Sequence, residues 1–216
     1  MSKKILYGQT HPRVVTLKEG TRVEGRIYTT GQDVTLRMLR TLSEGELIGE
    51  VKYSENLHWA LKDSEYWTVR HALATVTDRY HAQLKDDEEA EVRLVVAEYS
   101  DKYHEQFLTD NDFRVRRVVA RTSAKYHKVL KDDVDFRVRL EVARTATMYH
   151  EQLKDDAEWV VREAVAMHSD KYHEQFKDDE AWQVRVQVAR MSKKYHDTLA
   201  DDEDWVVRNA VAWCVK

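Results

Sequence analysis

Apolar residues recur along this chain with a period of 23 positions, and this period predicts a stack of short helices. In every copy an arginine is preceded directly by valine and followed four positions later by alanine. At 100° per residue the valine and the alanine fall on one helical face, with the arginine inside the apolar arc. Self-similarity at a fixed interval of this length is typical of repeat proteins. The seven arginines are Arg70, Arg93, Arg116, Arg139, Arg162, Arg185 and Arg208.

Each repeat has room for two short helices. The first surrounds the arginine, and the second contains a Tyr-His pair, as in the segment SDKYHEQF at 169–176. The second helix has only about two turns, so we expect part of it to be 3₁₀-helix. Because two short helices cannot bury their apolar faces alone, consecutive repeats must stack on one another. The sequence therefore predicts an all-α solenoid of seven two-helix repeats.

The repeated arginine requires an anion, because an unpaired charge in an apolar arc is expensive to bury. Six of the seven arginines have an aspartate six positions earlier, such as Asp133 before Arg139, while the first copy has Ser64 there. We predict that this aspartate caps its helix. We also predict that it accepts hydrogen bonds from an arginine of the same or a neighbouring repeat, so that a ladder of pairs fixes the register.

Residues 1–55 do not follow the period. All six glycines and the only proline lie within the first 49 residues, which indicates a boundary near 50–57. The stretch 14–31 alternates loosely around two glycine-centred turns and is compatible with a small β-hairpin, and residues 33–42 predict a short helix. Because a terminal repeat needs a cap, we assign 1–55 as an N-terminal capping region and 56–216 as the solenoid.

Composition narrows the classes of function. The formal net charge of −4 gives no global argument for nucleic acid binding, and no apolar run approaches the ~18 residues of a membrane span. The start of the chain lacks the apolar core of a signal peptide, and the single cysteine, Cys214, excludes an internal disulfide framework. We therefore expect a cytoplasmic protein without a membrane partner.

Histidines recur with the same period, from His58 to His196. Equivalent helices of neighbouring repeats pack ~8–10 Å apart, whereas nitrogens that share one zinc ion lie within about 3.5 Å of each other. We expect structural hydrogen bonds from these histidines, and we predict no metal, no cofactor and no catalytic residue. Aromatic residues three positions before the arginine lie on the flank of the apolar arc, so we expect them in the core. The tryptophans among them are Trp67, Trp159, Trp182 and Trp205.

The candidate binding surface consists of positions that vary while the repeat frame stays constant. Relative to the arginine they lie two before, one after and five after, which places them on one exposed stripe. The stripe is basic and free of acids in the third and fourth repeats and becomes apolar towards the C terminus, a combination typical of binding surfaces. The predicted partner-binding residues are Arg114, Arg117, Arg121, Arg137, Arg144, Arg190, Met167, Val206 and Trp213.

The pattern D-x-x-x-x-V-R-x-x-V-A, as in Asp156 to Ala166, resembles the second helix of HEAT-like repeats. The short period is most similar to that of the leucine-rich-repeat variant, and the resemblance covers residues 56–216. It implies a right-handed α-solenoid in which the Val-Arg helices line the concave side and the Asp-Arg ladder is structural.

These observations favour a non-enzymatic recognition scaffold whose stripe binds a protein partner with an acidic surface. One alternative is a nucleic-acid-binding solenoid that uses the same arginines on phosphates. A lesser alternative is an inhibitor whose paired acids mimic nucleic acid. The last repeat stops at Lys216 without its second helix, so a homo-oligomer formed through an open C-terminal end is a further expectation.

Overall fold

The computed structural model describes residues 22–23, 26–27 and 39–214, and the helical part of this range has the predicted all-α repeat architecture. The described chain contains eight α-helices of ten residues, which we call the long helices. They are Glu44–Tyr53, Trp67–Val76, Ala90–Tyr99, Phe113–Thr122, Phe136–Thr145, Trp159–His168, Trp182–Met191 and Trp205–Cys214.

Each of the first seven long helices is followed by a short segment in which a 3₁₀ turn leads into one turn of α-helix, as predicted from the available length. The 3₁₀ turns are Glu55–Leu57, Asp78–Tyr80, Asp101–Tyr103, Ala124–Tyr126, Thr147–Tyr149, Asp170–Tyr172 and Lys193–Tyr195. The α-helical turns are His58–Leu61, His81–Leu84, His104–Phe107, His127–Leu130, His150–Leu153, His173–Phe176 and His196–Leu199.

Two strands of two residues lie near the N terminus. Arg22–Val23 pairs antiparallel with Arg26–Ile27, within the stretch for which a hairpin is compatible with the sequence. Most of the helix predicted over 33–42 lies outside the described residues. The long helix Glu44–Tyr53 has the register of the repeat, because Leu47 stands 23 residues before Arg70. The capping role of residues 1–55 stays a prediction.

The chain divides into two compact units, residues 1–100 and 101–216. Within each unit, consecutive long helices pack side by side. The core of a repeat consists of the valines one before and three after the arginine, the following alanine, and a large residue from the short segment. Val161, Val165, Ala166 and Phe176 occupy these places and are fully buried. Full burial of one such valine or phenylalanine side chain contributes about 1.5–3 kcal/mol to the free energy of unfolding. Stacking of the repeats therefore provides the apolar burial that a single repeat cannot.

The predicted arginine–aspartate ladder is present, and the aspartate comes from the next repeat. Arg139 donates from Nε and Nη2 to the two carboxylate oxygens of Asp156, at 2.7 and 2.9 Å, and from Nη1 to the carbonyl of Asp133 at 2.7 Å. The hydrogen bonds with Asp156 raise the pKa of Arg139. The same pairing joins Arg70 to Asp87, Arg116 to Asp133, Arg162 to Asp179 and Arg185 to Asp202.

The prediction that this aspartate caps its own helix is wrong. The long helices begin only three residues before the arginine, and the N-cap lies one residue earlier, as Asp135 does for Phe136–Thr145. Asp135 accepts the N–H of Arg137 at 2.9 Å, while Asp133 accepts the N–H of Asp135 at 2.9 Å. The ladder carboxylate therefore organises the loop before the helix and leaves capping to a different residue.

The recurring histidines are structural, as predicted. His150 Nε2 donates to the carbonyl of Ala143 at 2.7 Å, in the last turn of a long helix, where carbonyls have no partner within the helix. Equivalent bonds join His58 to Val51, His81 to Ala74, His127 to Ala120, His173 to Ala166 and His196 to Ala189. In His150 the other nitrogen, Nδ1, is buried without a partner among the described residues, which favours the neutral ring.

Acid is expected to weaken the fold at His150. Burial lowers the pKa of this imidazole; the hydrogen bond to Ala143 acts in the opposite direction, and the nearby His168 lowers the pKa further. An unfolded histidine has a pKa near 6.5, so the unfolded state takes up more protons below that pH. The contribution to stability is therefore complete above about pH 6.5 and is lost as the pH falls towards the folded pKa.

Urea unfolding at about pH 7.5 and about pH 5.5 measures this effect. His150→Gln retains a side-chain donor but cannot titrate, so we expect its stability to change less between the two pH values than that of the native protein. An identical pH dependence in both proteins would contradict the assignment.

Candidate functional site

The predicted stripe forms three rows on the long helices of residues 101–216. The C-terminal row contains the residues five after the ladder arginine, in the last turn of each helix. All five are exposed, Met167 by 42% and Trp213 by 71%. This row combines three guanidinium groups with two large apolar side chains and contains no acid. Its members are Arg121, Arg144, Met167, Arg190 and Trp213.

The N-terminal row contains the residues two before the ladder arginine, and its two basic members are paired within their own repeats. Arg114 lies 2.7 Å from Asp112, and Arg137 lies 2.7 Å from Asp135, measured between Nη2 and Oδ2 in both pairs. The hydrogen bond between the partners raises the pKa of Arg137 and lowers that of Asp135. The positive charge of Arg114 and Arg137 is therefore partly offset by their N-cap residues. The row consists of Arg114, Arg137, Val160, Gln183 and Val206.

The middle row, one after the ladder arginine, lies where neighbouring long helices meet. Arg117 is half-buried, and its Nε lies 3.8 Å from Oε2 of Glu141 on the next long helix. Glu163, in the same register as Arg117, accepts a hydrogen bond from Gln187 of the next helix at 2.9 Å. Val186 is only 3% exposed. The prediction of one exposed stripe therefore holds only in part for this row. Stacking of the helices buries Val186 and partly covers Arg117, whereas Asn209 on the last long helix is exposed.

The expectation that the aromatic row three before the arginine lies in the core is wrong for its tryptophans. Trp159, Trp182 and Trp205 are exposed by 37%, 38% and 65%, and Trp67 by 40%. Each is the first residue of its long helix, so no preceding helical turn covers it. The helical angle places these residues beside the apolar arc, but their place at the helix start opens them to solvent.

The described part of the chain offers no evident site for metal chemistry. Among residues 39–214 no group of three or more His, Cys, Asp or Glu side chains is arranged to hold a metal ion. None of the helices in the same range combines the length and the apolar character needed to cross a membrane.

The alternation of long helices and short segments makes this chain a helical repeat protein with an all-α solenoid fold. It is similar to a solved structure described as "a leucine-rich repeat variant with a novel repetitive protein structural motif", with a TM-score of 0.71 and 28% sequence identity. The similarity covers 82% of this chain and 78% of that chain. No protein-family model and no curated protein sequence matches it. The resemblance indicated by the repeat pattern is thus confirmed.

Proposed function

We propose that this protein is a non-enzymatic cytoplasmic scaffold that binds a protein partner with an acidic surface. The C-terminal row is the proposed contact surface. The observation that carries the proposal is that all five members of the row are exposed and that each is either an arginine or a large apolar residue. In a chain with a net charge of −4, overall composition does not account for three exposed arginines and no acid at one position of the repeat.

The N-terminal and middle rows contribute less to this surface. Arg114, Arg137 and Arg117 already lie beside carboxylates of the same chain, so a partner would compete with those contacts. Arg144 and Arg190 have no ion pair with any residue that the structure describes. Arginine and tryptophan are the residue types most often found at the energetic centre of an interface. We therefore place the centre on the C-terminal row. Val206 lies at the start of its long helix, in the N-terminal row, and is not part of this centre.

Reversing two charges of the C-terminal row is expected to weaken partner binding about tenfold. The double variant R144E/R190E removes two attractions to an acidic partner and replaces them with repulsions, and tenfold corresponds to ~1.4 kcal/mol. The matched control K102E/K128E makes the same change in net charge at exposed residues of short segments. Quantitative affinity capture with the native protein and both variants measures the effect.

Partners retained equally by R144E/R190E and by the native protein would exclude the C-terminal row. Titration of duplex and single-stranded DNA at about 50 and about 200 mM salt distinguishes the alternative function. Arginines that bind phosphates would give an affinity for DNA that falls steeply with salt. If such binding is found and is lost in R144E/R190E, the function is nucleic acid binding and not binding of an acidic protein.

A further inference from the structure

A guanidinium group is held on an aromatic ring within this chain. The Cζ atom of Arg137 lies 3.4 Å from the centroid of the Phe113 ring, the first residue of the preceding long helix. The same guanidinium donates from Nε and Nη2 to the carboxylate of Asp135, at 2.9 and 2.7 Å. The ring and the carboxylate together form a binding site for a planar cation. The ring face attracts positive charge, and the two carboxylate oxygens accept the two parallel N–H groups of a guanidinium.

The same ring and carboxylate recur three repeats further on, without the arginine. Trp182 takes the place of Phe113, Asp204 that of Asp135, and Val206 that of Arg137. Asp204 accepts the N–H of Val206 at 2.8 Å, as Asp135 accepts the N–H of Arg137 at 2.9 Å. The carboxylate is therefore held in the same way in both places. In the described range no cation of this chain lies over the Trp182 ring, which is 38% exposed.

The surroundings of Trp182 are acidic. The loops that begin the last three long helices, residues 154–158, 177–181 and 200–204, contain ten carboxylates and two lysines. A shallow groove of about 420 Å³ lies between the last two loops. The exposed side chains of Asp178, Glu180 and Glu203 line it together with Lys177 and Arg185, and these carboxylates lie beside Lys177, Arg162 and Arg185 respectively. The ten carboxylates of the loops nevertheless outnumber the two lysines and the three ladder arginines that pair with them, which are Arg139, Arg162 and Arg185. This excess of negative charge favours a basic ligand over an acidic one.

We propose that Trp182 and Asp204 form a binding site for an arginine side chain of a basic, extended partner segment. The guanidinium stacks on the indole ring and forms two hydrogen bonds with the Asp204 carboxylate, as Arg137 does on Phe113 and Asp135. Trp159, in the same register one repeat earlier, is the second contact. Neighbouring long helices lie ~8–10 Å apart and an extended chain advances ~3.3 Å per residue, so arginines at every third position match the spacing.

This site differs from the proposed C-terminal row in position, charge and ligand. The two are separated by the length of the long helices, and the C-terminal row is basic where the loops around Trp182 are acidic. A failure of either assignment leaves the other intact.

Fluorescence anisotropy with labelled dodecapeptides tests the site in the full-length protein. The probes are four repeats of Arg-Ser-Gly, of Lys-Ser-Gly and of Glu-Ser-Gly. We expect the arginine peptide to bind several-fold more tightly than the lysine peptide, because only a guanidinium can stack and bind a carboxylate in bidentate fashion. No binding of the glutamate peptide is expected. Equal affinities for the arginine and lysine peptides would reduce the site to general charge attraction and overturn the proposal.

Two kinds of variant locate the site. Trp182→Ala removes the ring, and V206R supplies an arginine from the chain itself in the place of Arg137. We expect each to weaken binding of the arginine peptide at least tenfold. V134R, which adds the same charge at a residue that is 93% exposed, and Tyr99→Ala, which removes an exposed aromatic residue of the other unit, are the controls and should bind within about twofold of the native protein.

V206R removes no native ring or carboxylate, so its result does not depend on whether Trp182→Ala folds. Native affinity of V206R for the arginine peptide would overturn the proposal. So would a concentration-dependent dimer in sedimentation velocity that V206R dissociates, because the occupant would then be a second copy of the chain.

Discussion

Replacing Asp133 by alanine is expected to lower the free energy of unfolding by about 3–5 kcal/mol. Asp133 accepts two hydrogen bonds from Arg116, at 2.7 and 2.8 Å, and the side chains of the pair are 6% and 10% exposed. Its loss leaves a buried guanidinium without its anion and also removes the acceptor of the Asp135 N–H. Urea unfolding followed by circular dichroism measures the change.

The neighbouring aspartate provides the matched control. Asp132 is 70% exposed and pairs only with Lys131 in the described part of the chain, so Asp132→Ala should cost no more than about 1 kcal/mol. The double variant R116M/D133L replaces the pair by apolar groups and should recover most of the loss. Equal stability of the two single variants would show that the ladder does not hold the repeats together.

Replacing His150 by alanine is expected to cost about 2–4 kcal/mol. The carbonyl of Ala143 loses the donor that lies at 2.7 Å, and an unsatisfied buried acceptor costs about 1–3 kcal/mol. His150 is only 1% exposed, so its removal also leaves a cavity, which adds about 1 kcal/mol. Thermal and urea unfolding at about pH 7.5, above the pH range in which the titration of His150 affects stability, measure this loss.

His168 provides the comparison, because it is exposed at the end of a long helix. His168→Ala should change stability by less than about 0.5 kcal/mol. His150→Gln, which places an amide donor near the carbonyl, should fall between the two alanine variants. A His150→Ala variant as stable as His168→Ala would show that His150 does not stabilise the fold.

The candidate surfaces were predicted from the sequence only in part. The angular positions that define the rows follow from the period, and Arg121, Arg144, Met167, Arg190 and Trp213 are exposed as expected. Arg137 pairs with Asp135 and contacts Phe113. These contacts could not be predicted without knowing where the helix begins. The proposed binding site at Trp182 and Asp204 was not predicted. It is recognised only by comparison with the contact of Arg137 with Phe113 and Asp135 in an earlier repeat, because Val206 stands in the place of that arginine.

The sequence by itself determined the repeat period, the two-helix unit, the structural role of the histidines and the need for an anion beside each arginine. These properties are local and are repeated seven times, so single irregular positions do not obscure them. The tertiary structure decided that Arg139 binds the carboxylate of Asp156 rather than that of Asp133, that Val186 is covered and that Trp182 is exposed. These outcomes depend on where each helix begins and on how neighbouring helices stack. The angular position of a residue around its helix axis gives neither piece of information.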